Sequence, residues 1–196
     1  MKIITLSGKS ACGKDYLCKK LLDKHKKLKP VVAHTTRPKR DKETDNVEYH
    51  FIDNRSMNDL IAIGEIFEHR TYSTEEGDWV YGTTLSEIDT NSDNIYIAIV
   101  DLDGLQAYRE AFGDDKVISY YIDADDDVRL IRALKREVGF NDKKKDELIR
   151  RFYADDLDFR NAHKHCLHTL KNNTFADLDD AIEMIGYEIS RCVDGV

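Results

Sequence analysis

The sequence predicts an α/β fold, with a mainly parallel central sheet flanked by helices. Three observations predict it. Short apolar, β-branched runs recur at Lys2 to Leu6, Asn94 to Val100 and Lys116 to Ile122, each the length of a buried strand. Stretches of helical spacing separate them, which is the pattern of βαβ units. Between the first strand and the first helix stands Gly8-Lys9-Ser10-Ala11-Cys12-Gly13-Lys14-Asp15, with the spacing G-x-x-x-x-G-K of a P-loop, nucleotide-binding fold.

The glycines of that segment let the backbone turn with its N–H groups pointing inward. Together with the positive end of the following helix they make an anion cradle. Lys14 would reach the β- and γ-phosphates of a nucleoside triphosphate such as ATP as a compact charge. The next residue is ordinarily Ser or Thr, whose hydroxyl holds Mg²⁺; here it is Asp15. A carboxylate is also a hard oxygen ligand for Mg²⁺, directly or through water, but it sets a negative charge near phosphates unless the metal lies between. The competing reading is an ordinary glycine-containing turn. The strand before and the helix after favour a phosphate chain, without saying what is done with it.

A length of 196 residues fits one domain with a sizeable core. The net charge of −8 disfavours a broad nucleic-acid surface, so cationic groups must be local and aimed. No apolar run approaches transmembrane length, and the first residues read as a strand rather than a signal peptide; we expect no membrane association and a cytoplasmic setting. The four cysteines show no paired metal spacing and read as reduced packing thiols.

Along the chain, the first helix ends in Lys24-His25-Lys26-Lys27, a cationic helix terminus. Pro30 to His34 starts a second strand. It leads into Thr35-Thr36-Arg37-Pro38-Lys39-Arg40, whose arginines, three apart, suit a second anion because each guanidinium forks two oxygens. Val47 to Phe51 follows, then a helix over Ser56 to Gly64, a short strand at Ile66 to His69, and an acidic irregular segment at Thr74 to Asp78. Asp101 and Asp103 stand at the carboxyl end of the strand Asn94 to Val100, where open α/β sheets bind ligands. Either is a Mg²⁺-water or substrate contact, or a cap for the helix Gly104 to Phe112. A helix from about Asp126 to Glu137 carries Arg129, Arg132 and Arg136; a second from about Lys143 to Arg160 carries Arg150 and Arg151. Around the break from Gly139 to Asp142 this pair suggests a mobile lid whose arginines close on a transferring phosphoryl group, although i,i+4 pairing accounts for some of them. A strand at Cys166 to Leu170, a turn at Asn172 to Thr174 and a helix from Asp177 to Cys192 complete the chain. The histidines around Cys166 alternate faces and complete no metal site. The segment from about His34 to Thr90 is too long for one crossover helix and reads as an inserted lobe.

In this order the residues resemble the guanylate kinase family. Thr35 to Arg40 resembles its T-T-R-x-x-R, Glu48-Tyr49-His50-Phe51 its D-Y-x-F, and Glu65-Ile66-Phe67-Glu68 its E-F-I-E. Tyr81-Gly82-Thr83 resembles its Y-G-[ST], Val100-Asp101-Leu102-Asp103 its L-D-I-D, and Asn173 to Leu178 the N-D-D-L turn near the ATP base. The resemblance implies ATP and Mg²⁺-dependent phosphorylation of GMP or dGMP. It implies ATP contacts from Gly8 to Asp15 and from Asn173. It places Thr35, Arg37, Arg40, Tyr49, Tyr81, Glu68, Thr83 and Asp103 on GMP, with Arg37, Arg40 and Tyr49 on the phosphate and Glu68, Thr83 and Asp103 on guanine. Lys14, Arg37, Arg136 and Arg151 would serve catalysis, and Asp15 or Asp101 the metal. It divides a single domain, 1–196, into a core (about 1–33, 91–125 and 162–196), an acceptor lobe (about 34–90) and a lid (about 126–161), in a monomer or homodimer.

The chain departs from the family's pattern in its loop, which lacks the usual Gly-Pro-Ser-Gly opening and has Asp15 for Ser or Thr, and at Ala33, where the family often has Ser. The Glu68 to Tyr81 and Arg136 to Arg151 segments are also longer. Two other readings stay open: a sister kinase acting on another nucleoside monophosphate or a sugar phosphate, and a non-enzymatic guanylate kinase-like binding module. Intact Lys14 and both loop glycines weigh against the module.

Overall fold

A computed structural model describes residues 1–40, 43–74, 77–136 and 142–194. The first half runs β1 (Lys2–Ser7), α1 (Lys14–Lys24), β2 (Leu28–Pro30), β3 (His34–Thr35), β4 (His50–Phe51), α2 (Asn54–Ala62), β5 (Ile66–Thr74) and β6 (Gly77–Thr84). The second half runs β7 (Ile95–Ile99), α3 (Leu102–Phe112), β8 (Val117–Asp123), α4 (Asp126–Arg136), α5 (Asp142–Asp158), α6 (Ala162–His165), β9 (His168–Lys171) and α7 (Phe175–Asp194).

Ile3, Ile4 and Leu6 of β1 are all fully buried, so this strand needs cover on both faces and a partner on both edges. It pairs in parallel with β7 on one side and β8 on the other. The five-stranded sheet has the order β2-β7-β1-β8-β9 and every pairing in it is parallel. Successive side chains alternate between its faces. Ile4, Leu6, Ile97 and Ile122 pack against Leu17 and Leu21 of α1 and Ile185 and Ile189 of α7. Ile3, Tyr96 and Tyr121 turn the other way, onto Leu105, Tyr108 and Phe112 of α3 and Ala162 of α6. Each such side chain contributes about 1.5–3 kcal/mol by leaving water.

A second sheet, ordered β4-β3-β6-β5, hangs from the chain between β2 and β7. Its main part is the antiparallel β5–β6 pair, in register from Glu68↔Thr83 to Thr74↔Gly77, with a register shift between Ile66 and Glu68. Helix α2 covers it with the fully buried Met57 and is started by Asp53, whose carboxylate accepts the Ser56 N–H at 2.7 Å.

Several elements differ from the sequence reading, each for a local reason. The strand expected from Pro30 to His34 ends at Pro30; one more bond, Val31 N–H to Ile97 O at 2.9 Å, continues the ladder before the chain crosses to the second sheet at His34. Only His50 and Phe51 of the Val47 to Phe51 run are strand, because the chain turns at Asn46 with φ +63°. The strand expected to stop at His69 continues to Thr74, and the segment from Gly77 pairs with it. Cross-strand partners such as Tyr72↔Trp79 supply that pairing, and no apolar period marks it in the sequence. Helix α3 starts at Leu102, two residues early, because Asp101 caps it. Cys166 lies before β9 rather than in it. Glu75 and Glu76 of the acidic segment, the helix end at Glu137 and the break from Gly139 lie outside the described residues.

The packing of α7 is directly testable. Ile185 is fully buried while its neighbour Met184 is 52% exposed. In urea unfolding we expect Ile185→Ala to lower stability by about 2–5 kcal/mol, and Met184→Ala by no more than about 0.5 kcal/mol. Equal effects would contradict this docking of α7.

Candidate functional site

The loop after β1 is held by close packing that only glycine permits. A Cβ on Gly8 would sit 2.5 Å from the Ile122 carbonyl oxygen and 2.8 Å from Cys12 Sγ. Gly13 has φ +100°, and a Cβ there would meet Asn172 Nδ2 at 2.4 Å. Asn172 in turn donates to Cys12 O at 2.7 Å, so the turn before β9–α7 buttresses the loop. Lys14 curls over the loop and donates to Gly8 O at 2.6 Å and Lys9 O at 3.0 Å. Asp15 follows in the first turn of α1 and is exposed.

Side chains from α4 and α5 meet this loop. Arg129, fully buried, donates from Nε to Ser10 O at 2.9 Å, from Nη1 to Asp126 and from Nη2 to Asp155. Asp155 accepts the Ser10 N–H at 2.9 Å and the Ser10 hydroxyl at 3.2 Å. Burial pushes the Asp155 carboxyl upward, against the pull of the Ser10 bonds and the Arg129 charge. Arg132 donates to Asn172 O at 2.8 Å and Asn173 O at 3.3 Å. Lys9 pairs with Asp156 at 2.5 Å.

The second sheet holds the other half. Arg37, 4% exposed, donates from Nη2 to Glu43 at 2.8 Å and from Nε to the Tyr81 hydroxyl at 3.1 Å, with the Tyr49 and Phe51 rings each 5.5 Å from its guanidinium carbon. Burial, then the charges of Tyr81 and Asp15, push the Tyr49 hydroxyl up to about 12, so it is a neutral donor at physiological pH. Arg40 exposes its side chain and gives its N–H to Glu43 at 2.9 Å. Thr35 does not meet the expectation of a direct ligand contact. It is fully buried, its hydroxyl donates to Val80 O at 3.0 Å and accepts from Arg37 N–H, and it serves by shaping the Arg37 turn.

Between the two sheets lies an open cleft of about 270 Å³, lined by Phe67, Glu68, Arg70, Asp101, Asp103 and Gly104. Thr83 donates to Glu68 Oε1 at 3.1 Å. Burial pushes the Glu68 carboxyl up to about 7, and the Asp101 charge adds to the rise, while the Thr83 bond and the Arg70 charge oppose it. Of the two readings open for Asp101, the cap is the one observed. Its Oδ1 accepts Gly104 N–H at 2.8 Å and its Oδ2 accepts from Arg70, so the carboxylate caps α3 and pairs with β5 at once. Arg70 also reaches Asp158 at the end of α5, at 2.8 Å.

Glu68 and Asp103 therefore line one cleft, with buried Thr83 bonded to Glu68 behind it, and Arg37, Tyr49 and Tyr81 meet elsewhere on the second sheet. Arg136 and Arg151 do not join them. Arg136 is exposed at the end of α4, and Arg151 donates to Glu147 on its own helix at 2.6 Å. The hydrogen bonds from Arg150 and Arg151 pull the Glu147 carboxyl down to about 2. The Asn173 side chain is bonded to Asp125, with both contacts at 2.8 Å. Sequence reading passed over Glu43, Arg70, Asp155 and Asp158. Only Arg70 carried a local signal: two residues beyond Glu68 on a strand, it shares that residue's face.

Comparison with known proteins gives the family and the fold. A family model described as guanylate kinase matches residues 1–185. A guanylate kinase of Helicobacter hepaticus is 29% identical over 137 residues, covering 69% of this chain and 66% of that protein. One of Symbiobacterium thermophilum is 35% identical over 114 residues, covering 57% and 52%. One of Frankia casuarinae is 37% identical over 83 residues, covering 42% and 43%. The matched part thus spans from 43% to 66% of these relatives' own lengths. The crystal structure of guanylate kinase from Anaplasma phagocytophilum superposes with a TM-score of 0.70 over 96% of this chain and 84% of that one, at 19% identity, which establishes the shared fold. With the loop, the two sheets and a match running from Met1 through residue 185, the chain belongs to the guanylate kinase family.

Proposed function

We propose that this chain transfers the γ-phosphoryl group of ATP to GMP or dGMP. The observation that carries the reading is Glu68: a half-buried carboxylate on the cleft wall, bonded by Thr83 and sharing the cleft with Asp103 and Gly104. Guanine presents an N1–H and an N2–H donor side by side, and a carboxylate accepts both. Adenine lacks that pair, and a base that covers the half-buried carboxylate without offering donors costs binding.

In this reading the ATP phosphates lie in the loop Gly8 to Asp15, with Lys14 exchanging its loop carbonyls for phosphate oxygens. Arg37, Arg40 and Tyr49 hold the acceptor phosphate, Tyr81 orients Arg37, and Glu68, Thr83 and Asp103 read guanine. The sheet β3–β6 with its connections is the acceptor lobe, and α4 and α5 are the lid. The acceptor phosphate is already a nucleophile, so positioning and electrostatics carry the catalysis. Arg136 and Arg151 would add their charge as the lid closes, Arg151 leaving Glu147 to do so. Closure would also exclude water and so limit hydrolysis of ATP.

Mg²⁺ fits this site through Asp15. The exposed carboxylate directly follows Lys14, and a P-loop cation takes most of its ligands from phosphates and water. When bound there, the ion neutralises charge on the phosphate oxygens. Among the described residues no cluster of three or more acidic, His or Cys groups would hold a metal by itself. The described helices include none long and apolar enough to cross a membrane. With nucleotide substrates, a cytoplasmic setting is part of the proposal.

The test is ADP release with ATP-Mg²⁺ and a panel of acceptors: GMP, dGMP, AMP, CMP, UMP, dTMP and ribose 5-phosphate. We expect turnover with GMP or dGMP alone. Turnover with another acceptor would discard the guanine-reading roles in favour of a sister kinase. Silence from a protein that still binds GMP would favour a binding module.

Glu68 also predicts a pH dependence. Its ionised form accepts the guanine protons, and with its carboxyl at about 7 that form is lost as pH falls through neutrality. The ratio of kcat/KM for GMP between the native chain and Glu68→Gln, in which ionisation of the GMP phosphate cancels, should fall toward tenfold per unit below pH 7. A flat ratio from pH 8 to 6 would remove Glu68 from the base-reading role.

A further inference from the structure

Among the described residues Arg129 is the most buried charged side chain, and it has no role in the chemistry above. With Asp155 it grips one peptide unit on each side of Ser10. Asp155, from α5, takes the Ser10 N–H; Arg129, from α4, takes the Ser10 carbonyl. The guanidinium is further held by Asp126 and by the Phe152 ring, 4.4 Å away.

Peptide units are planar and trans, so pinning one polar group aims the group across the plane. The Ser10 N–H shares its plane with the Lys9 carbonyl, which receives Lys14 Nζ at 3.0 Å and Cys12 N–H at 3.3 Å. The Ser10 carbonyl shares its plane with the Ala11 N–H, which is thereby turned away from Arg129. Ala11 itself has φ +61°, a left-handed conformation that opposes a Cβ; among the described non-glycine residues only Asn46 shares it. The loop lacks the family's proline at position 9 and glycine at position 11. Its shape must therefore be held from outside.

We propose that Arg129 and Asp155 are positioning residues for the phosphate loop, holding Ser10 so that Ala11 stays left-handed and Lys14 and the loop amides are set for a triphosphate. A buried ion pair is weak in net stability, which suits a role in geometry rather than in holding the fold. The inference rests on the donor role of the loop in the proposed function.

The test is a cycle between the paired change Arg129→Leu with Asp155→Ala, which strands no charge, and Ala11→Gly, which removes the strain. Calorimetry with Mg²⁺ and a non-hydrolysable β,γ-imido analogue of ATP reads the donor site; GMP binding reads the acceptor site. We expect the paired change to weaken the ATP analogue about tenfold, the scale of one left-handed alanine set free, with the Kd for GMP within twofold of the native chain. Adding Ala11→Gly should recover most of the loss. Unchanged analogue affinity, an equal loss for GMP, or no recovery would each overturn the positioning role. If the paired variant does not fold, Arg129→Lys decides: a point charge keeps the Asp155 pair but not the Ser10 carbonyl, and the same donor-only loss is expected. A native chain that binds GMP but not the analogue would instead overturn the donor reading itself.

Discussion

The site depends first on the parallel pairing of β1 with β7 and β8. Leu6 stands opposite Ile99 on one side and Tyr120 on the other, so the strands end together at one edge of the sheet. The ladder is extended by one further bond, Val100 N–H to Leu6 O at 3.1 Å. The loop that starts at Gly8, the Asp101 cap and the turn that meets Asn173 all emerge there. Because β1 is buried on both faces, a slip of one residue would exchange Ile3 with Ile4 and Leu6 with Thr5 across the core, which fixes the register. Ligand-binding groups then gather outside the carboxyl ends, as open α/β sheets require.

Onto this edge the second sheet and the helices α4 and α5 are tied by arginines, and each tie is balanced. Arg70 is met by Asp101 and Asp158, and Arg129 by Asp126 and Asp155, while Arg37 is met by Glu43 within the second sheet's own segment. Arg70 is the widest of these ties: it starts on β5, reaches the strand end at Asp101 and the end of α5, and so joins both sheets and a helix in one side chain. In a chain of net charge −8, cations set among carboxylates keep their places without ligand, while Lys14 has only loop carbonyls and a thiol to leave. A guanidinium is suited to such ties because its fixed fork serves two or three acceptors at once.

What was legible in the sequence followed from period and spacing. The parallel core was readable because strands buried on both faces are continuous apolar runs, and the loop because G-x-x-x-x-G-K lay between a strand and a helix. Glu68, Thr83 and Asp103 were placed by resemblance; in the structure Glu68 and Asp103 line one cleft and Thr83 bonds Glu68. The β5–β6 hairpin was not readable beyond His69, since Arg70, Thr71, Tyr72 and Ser73 are exposed or partly so and carry no apolar alternation. Asp101 offered a cap from position alone, and the structure shows it, but its pairing with Arg70, 31 residues away, left no trace in the sequence. The hold of Asp155 on Ser10 spans 145 residues of chain and had no local trace at all. Arg136 and Arg151 stood out as cations of the helix pair, and the structure leaves the first exposed and the second on Glu147.

The central claim is that a phosphate loop and a guanine-reading cleft face one another across a single phosphoryl-transfer path. Binding of an inhibitor that joins adenosine to guanosine through a pentaphosphate chain tests it most directly. The account predicts one molecule bound per chain, displaced by ATP and by GMP alike, and at least about 100-fold tighter than the adenosine–adenosine counterpart. Equal affinity for the two compounds, or displacement by only one of the two nucleotides, would contradict it.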